Sequence, residues 1–210
     1  MALIEKDWTS DHKLTARRKN MDFKNGCTPD MGGVDLNRNF PIDFGQVDNS
    51  QTQYLSDTDE WLEGKVKVKK QEPDPCSTNY PGPAGFSESE TQAYKNFLTA
   101  HQKEMAFVIN MHSNGNAFIY PFNGRQTNDI ETRRPGILPI FTQISKEAPF
   151  PVGEMKGTSK EVMGIAIGGD QDDWTLGELG IPSVTAEVGY VGQFFDEWRV
   201  RDPSTATDIV

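Results

Sequence analysis

Three features of this sequence could do chemistry together: the pair Asn37-Arg38, the histidine His112 and the carboxylate Glu187. Asn37 and Arg38 lie within Val34-Asp35-Leu36-Asn37-Arg38-Asn39-Phe40, where polar residues crowd between apolar anchors as at a strand end or a tight loop. Arg38 offers a planar fork of donors suited to a carboxylate or phosphate, and Asn37 can donate from its amide. His112 follows the apolar run Met105–Met111, and Glu187 ends the run from Ile181 to Ala186. If one fold gathers them, they make an anion clamp, a metal ligand and a base. Taken singly, each has a plainer reading: an exposed turn, a polar cap at a strand end, a solvated carboxylate.

The elements that must position these groups are legible in outline. Ser87-Glu88-Ser89-Glu90 reads as a capping box with Ser87 at the N-cap, opening a helix that runs to about His101. Tyr94, Phe97 and Leu98 are expected on its apolar face. Met105–Met111 is a continuous apolar run of strand length, which suits a strand buried on both faces of a central sheet. Ala117–Pro121 is a second short strand, and Pro139–Ile144 a core-facing helix. Gly168-Gly169 is a glycine turn leading into the acidic segment Asp170–Trp174, and Ile181–Glu187 is another strand. Helices alternating with short buried strands predict an α/β domain. In such domains functional residues gather beyond the carboxyl ends of the strands, where this reading puts Asn37-Arg38, His112 and Glu187.

Composition narrows the partners. The chain has 210 residues, enough for one domain with a sizeable core, and twelve Phe and four Trp supply aromatic material for it. A net charge of -10 argues against nucleic acid or an anionic membrane surface as the main partner. There is no apolar run long enough to span a bilayer, and the start of the chain lacks the pattern of a signal peptide. Residues 41–85 are rich in turn formers and poor in apolar residues, an irregular excursion and not a separate domain. Arg17-Arg18-Lys19-Asn20 reads as a solvated basic face. The two cysteines, Cys27 and Cys76, either close one disulfide, which the chain-entropy model values at about 4 kcal/mol, or are unrelated buried thiols.

In order along the chain, several segments resemble the zinc carboxypeptidases of the pancreatic A and B type (peptidase M14). They are Arg18-Lys19-Asn20, Gly33–Phe40, Cys76–Gly82, Phe86–Thr91, Met111-His112-Ser113, Tyr120-Pro121, Gly168-Gly169 with Asp173-Trp174, and Thr185-Ala186-Glu187. The resemblance implies a mixed-sheet α/β domain that removes C-terminal residues from peptides or proteins with the help of zinc. In that family an H-x-x-E motif and a later histidine hold the metal, and His112 matches the later histidine. Such a zinc would lower the pKa of its water and polarise the scissile carbonyl. Glu187 matches the general base, and Arg18 the arginine that stabilises the tetrahedral oxyanion. Asn37 and Arg38 match the pair that grips the substrate's terminal carboxylate, with Ser113 beside the substrate. Cys27 and Cys76 match the disulfide partners, which implies a secreted or lumenal setting. The family also implies a monomer.

The sequence departs from that pattern in three places. The H-x-x-E motif belongs well upstream of Arg18, so residues 1–210 are expected to be an incomplete catalytic domain that supplies one of three zinc ligands. The string His101-Gln102-Lys103-Glu104 is expected to be a coincidence, because a seven-residue strand of roughly 23 Å separates it from His112. Gly164 or Ile165 falls where the family carries a tyrosine over the substrate. The family's final helix is also missing, which would leave sheet edges and one face without partners. Asp172 aligns near the floor of the side-chain pocket, where it would favour a terminal Lys or Arg, and the competing reading is a solvated acidic turn. Three functions follow: a carboxypeptidase when complete, a pseudoenzyme that at most binds peptide C-termini, or a non-functional remnant.

Overall fold

The computed structural model describes residues 4–5, 15–16, 18–23, 26–28, 31–46, 74–112, 117–147 and 155–188. The strands are β1 (Ile4–Glu5), β2 (Thr15–Ala16), β3 (Val108–His112), β4 (Ala117–Ile119), β5 (Met155–Gly157) and β6 (Ser183–Glu187). The helices are α1 (Ser89–Ala100), α2 (Ile130–Arg133), α3 (Leu138–Glu147), α4 (Ser159–Met163) and α5 (Gln171–Leu179). β1 and β2 form a small antiparallel pair, and the other four strands form one mixed sheet in the order β3-β6-β4-β5. β6 runs parallel to β3 and antiparallel to β4, and β4 is parallel to β5. This is the α/β class expected.

The last strand among the described residues, β6, is one of the two interior strands of this sheet. Its first four residues are buried, with Val184 and Ala186 facing one way and Ser183 and Thr185 the other. Val184 and Ala186 join Phe118, Phe122, Phe141 and Leu176 in one apolar cluster. A second cluster, on the α1 side, gathers Phe40, Leu98 and Trp174, with Phe86 and Tyr94 against them. Phe40 meets the rings of Phe86, Tyr94 and Trp174 at centroid distances of 5.3, 5.5 and 6.0 Å. Aromatic packing therefore ties the Val34–Phe40 stretch to α1 and α5.

Three expectations need correction. The run Met105–Met111 is not a central, doubly buried strand: β3 has no second neighbour in the sheet among the described residues, and Ile109 and Met111 are 50% and 58% exposed. An apolar run reports length and composition but not position within the sheet. Phe97 is 54% exposed and meets the His101 ring at a tilt with centroids 4.7 Å apart, while the inward stripe of α1 is the buried Thr91 and Leu98 with the partly buried Tyr94. One residue is a rotation of about 100° on a helix, enough to take Phe97 off that stripe. Finally, Ser87 does not cap α1. The helix begins at Ser89 with Glu88 as N-cap and no side-chain cap bond, because the Ser87 hydroxyl accepts from Asn39 Nδ2 at 2.8 Å.

Beyond these corrections, α2, α4, α5 and β5 add elements that the sequence pattern did not signal. α4 carries a full capping box between Thr158 and Glu161, and its C-cap is Gly164 in the left-handed conformation. Cys27 and Cys76 are joined in a disulfide.

Candidate active site

The Val34–Phe40 stretch folds as a tight 3-10 turn over Leu36–Arg38, and Asp35 organises it. Asp35 is 2% exposed, its backbone N–H donates to the Tyr80 carbonyl at 2.8 Å, and its Oδ1 accepts from Asn37 N at 3.2 Å. Val34 and Phe40 are buried anchors on either side. The strongest anchor is polar, and the sequence reading overlooked it. Asn39 has no exposed surface, donates to the Pro81 and Ala84 carbonyls at 2.7 and 3.0 Å, and accepts from Thr91 Oγ1 at 2.6 Å. An asparagine whose amide is committed on both sides fixes the loop as firmly as an apolar plug would.

The segment bearing Arg18 is held in the same manner. Asn20 exchanges bonds with Val34 at 2.8 and 2.9 Å and donates to Glu88 Oε2 at 2.6 Å. Lys19 places its ammonium on the carbonyls of Met31, Pro75 and Ser77 at 2.6, 2.9 and 2.8 Å. Those carbonyls come from the two segments that the disulfide joins. Lys19 and Asn20 are 7% and 6% exposed, so this part of the cluster is not a solvated face, while Arg18 is exposed and Arg17 lies outside the described residues. Gly33 makes the close approach to Asn20: its φ is +94°, and a Cβ there would lie 1.9 Å from the Asn20 carbonyl oxygen.

Parallel pairing brings the next two groups together. His112 and Glu187 are register partners at the carboxyl ends of β3 and β6, and His112 Nδ1 lies 3.7 Å from Glu187 Oε1. Asn37 Nδ2 approaches His112 Nε2 at 3.5 Å. The direction of the Asn37 amide is set from behind, where the Gln171 backbone N–H donates to Asn37 Oδ1 at 3.1 Å. With Oδ1 so engaged, the NH2 faces the site. A donor at Nε2 puts the neutral imidazole's proton on Nδ1, toward Glu187. Burial, followed by the charges of Arg18 and Arg38, pushes His112 down to about 4, so it is neutral at pH 7. Burial raises the Glu187 carboxyl, opposed by the same two arginines. A raised carboxylate beside a neutral imidazole suits general-base work near neutral pH.

Arg38 completes the geometry. It is 9% exposed, and its Nη1 donates to the Asn37 carbonyl at 2.5 Å. Among the described residues its Nε has no hydrogen-bond partner, and the carboxylate of Asp35 stands 3.9 Å away through Oδ2. A buried guanidinium with an unmet donor can accept a further anionic partner. Arg18 donates from Nε to Asp35 Oδ2 at 2.6 Å, and its half-exposed charge acts on both His112 and Glu187.

Asp172 has no exposed surface, which corrects the reading of it as a solvated acidic turn. Its Oδ1 and Oδ2 each accept a hydroxyl, from Ser183 and Thr185, at 2.5 Å. Ser183 and Thr185 share a face of β6 with Glu187, so Asp172 lies on the same side of the strand as Glu187 and is not part of a solvated turn. Its carboxylate oxygens are already engaged, and no surface is left open to a substrate. Ser113 and His12 lie outside the described residues. His101 meets Glu104 at 3.0 Å at the other end of β3 from His112. Among the described residues no three His, Cys, Asp or Glu side chains gather as metal ligands. His112 supplies one imidazole, and that donor set does not fit a catalytic zinc by itself.

The chain is 31% identical to human mast cell carboxypeptidase A over 205 residues, covering 92% of this chain and 40% of that protein. It is 27% identical to carboxypeptidase B of Helicoverpa zea, covering 80% of this chain and 35% of that one. The chain thus spans about two-fifths of the length of these relatives. Its fold is similar to that of carboxypeptidase A from Helicoverpa armigera, with a TM-score of 0.53 at 21% identity over 80% of this chain and 36% of the other. Bovine thrombin-activatable fibrinolysis inhibitor, solved in complex with tick carboxypeptidase inhibitor, gives a TM-score of 0.52 at 22% identity, over 89% and 54% of the two chains. The profile of the zinc carboxypeptidase family (peptidase M14) matches residues 5–198, and the chain belongs to that family.

Proposed function

We propose that this chain carries the recognition half of a metallocarboxypeptidase site, gripping the free C-terminal carboxylate of a peptide or protein beside a general base. The observation that carries this reading is Arg38: a guanidinium 9% exposed, with its Nε unmatched, next to an amide turned toward the same space. Arg38 and Asn37 bind the terminal carboxylate. Arg18 stands where an oxyanion would develop, and Glu187 accepts a proton from the attacking water and returns it to the leaving amine. Ser113 lies next to the substrate in this reading. In the complete family domain zinc supplies Lewis-acid chemistry, and His112 would give it one imidazole.

Because the described donors do not fit zinc alone, the function that depends least on the metal is carboxylate binding, and a binder without hydrolysis is the second reading. The partner is a peptide end, not nucleic acid or membrane, and the chain acts as a monomer. No helix among the described residues is long and apolar enough to cross a membrane. The Cys27–Cys76 disulfide supports an oxidising, secreted or lumenal setting.

The test is calorimetric titration of the 210-residue chain with two versions of one short peptide, one ending in a free carboxylate and one in an amide. The free acid should bind at least about tenfold more tightly, and Arg38→Ala should erase the difference. Equal binding of acid and amide would overturn the proposal. Hydrolysis of the free-acid peptide, with zinc bound one to one, would favour the enzyme over the binder.

A further inference from the structure

The turn Gly168–Asp173 touches both members of the carboxylate grip. The Gly169 carbonyl accepts from Phe40 N at 3.0 Å, and Gly169 presses on the Arg38 backbone so closely that a Cβ there would lie 2.2 Å from the Arg38 carbonyl oxygen. Gly169 meets that contact with a φ of +72°, a conformation that other residues adopt only under strain. Two residues on, the Gln171 N–H holds Asn37 Oδ1 at 3.1 Å. Between them stands Asp170, a carboxylate 5% exposed.

We infer that Asp170 is a positioning residue for the grip, locking the turn that orients Asn37 and packs against the Arg38 backbone. This rests on the carboxylate-binding reading given above. The lock is a matter of bonds. Asp170 Oδ1 accepts from Asp173 N at 2.9 Å and caps α5, while Oδ2 accepts from Asn123 Nδ2 at 2.9 Å. Asn123 is 1% exposed, and its own N–H donates to both Asp173 oxygens at 2.7 and 2.9 Å. Asn123 Oδ1 also accepts from Ser159 N at 2.8 Å, so the exit of β4, the start of α4 and the start of α5 form one unit around Asp170.

Burial adds an effect of charge. Burial lowers the Arg38 pKa, and Asp35 and then Asp170 are the strongest carboxylates that oppose it. Without Asp170, a guanidinium this enclosed loses part of its compensation and relaxes toward Asp35, away from the space that a substrate carboxylate would enter. The Gln171 N–H would lose its fixed place at the same time, freeing the Asn37 amide to flip.

The experiment uses Asp170→Asn and Asp170→Ser in the full chain, both residues that cap helices well. Each variant is titrated with the free-acid and amide peptides, with the melting temperature followed in parallel. The expected result is about tenfold weaker binding of the free acid with amide binding unchanged, together with a shifted Asn37 side-chain NH2 resonance. Free-acid binding like that of the parent chain would overturn the inference while leaving the grip in place. Tighter binding would also overturn it, showing that Asp170 competes with the substrate anion. An equal loss for both peptides would mean a purely structural role. If the parent chain itself fails to distinguish acid from amide, the underlying function falls first. Should Asp170→Asn not fold, Asp170→Ser reads the same comparison.

Discussion

Asp35 Oδ2 receives the Arg18 Nε at 2.6 Å and stands 3.9 Å from the Arg38 Nε, so one buried carboxylate sits between two arginines with different tasks. Their solvent exposure differs: the Arg18 side chain is 45% exposed and that of Arg38 is 11% exposed. Arg18 can turn into water if the partnership breaks, and Arg38 cannot. Asp35→Asn should therefore cost about 2 kcal/mol of stability, because it strands a buried guanidinium. Arg18→Gln should cost less than about 1 kcal/mol, as expected for a half-exposed ion pair. Chemical denaturation of both variants checks the asymmetry, and equal costs would contradict it.

His112 gives a pH signature. Its folded pKa of about 4 lies below the ordinary value of 6.5, so between those two values the unfolded chain binds the extra proton. Stability should rise as pH climbs from about 4 to 6.5 and fall away as pH drops through the same window. Histidine NMR at pH 6 should find this ring neutral. His112→Gln should flatten that part of the stability curve.

Asp172 separates removal of a charge from removal of a partner. Burial pushes its carboxyl well up, and the nearby Asp170 charge pushes the same way. A raised carboxyl contributes stability that is present at low pH and lost as pH rises through its folded pKa. Asp172→Asn removes the charge and can still pair with Ser183 and Thr185, so it should be neutral or mildly stabilising at pH 7. Asp172→Ala strands two buried hydroxyls and opens a void, with a loss of roughly 2–4 kcal/mol. Thermal unfolding at pH 5 and pH 7 distinguishes the two variants, and equal melting temperatures for them would count against the buried bonds.

The position of each strand in the sheet predicts tolerance. Met111→Lys on β3 falls on a residue 58% exposed and should change stability by no more than about 0.5 kcal/mol. Val184→Lys on β6 buries an unpaired ammonium where 2% of the residue is exposed and should prevent folding. Circular dichroism on the two variants is sufficient.

The chemistry-bearing residues were legible because their positions depend on local features: an apolar run that ends, a glycine turn, a polar turn between apolar anchors. His112 and Glu187 lie at matching strand ends for that reason. What was not legible depended on partners far along the chain. That, among the described residues, β3 is an edge and β6 is interior is decided by pairing between segments 75 residues apart, as between Asn110 and Thr185. The Ser87 pattern was sound as a local cap, but Asn39, 48 residues away, claims its hydroxyl. Asn39 and Asn123 carried no signal, since a buried amide hub looks in sequence like any loop asparagine. Asp172 could be read as a solvated turn because its burial is imposed by β6, whose Ser183 and Thr185 hydroxyls it accepts, and not by its own neighbours.

The interior place of β6 also sets an order of events during synthesis. The strand that lies between β3 and β4 leaves the ribosome last of the three, so a nascent chain that stops short of Ser183 holds β3 and β4 with an empty slot between them. His112 would wait for Glu187 until the residues between them have been made, and the slow, long-range closure that fills the slot would complete the sheet and bring the two side chains together in one step.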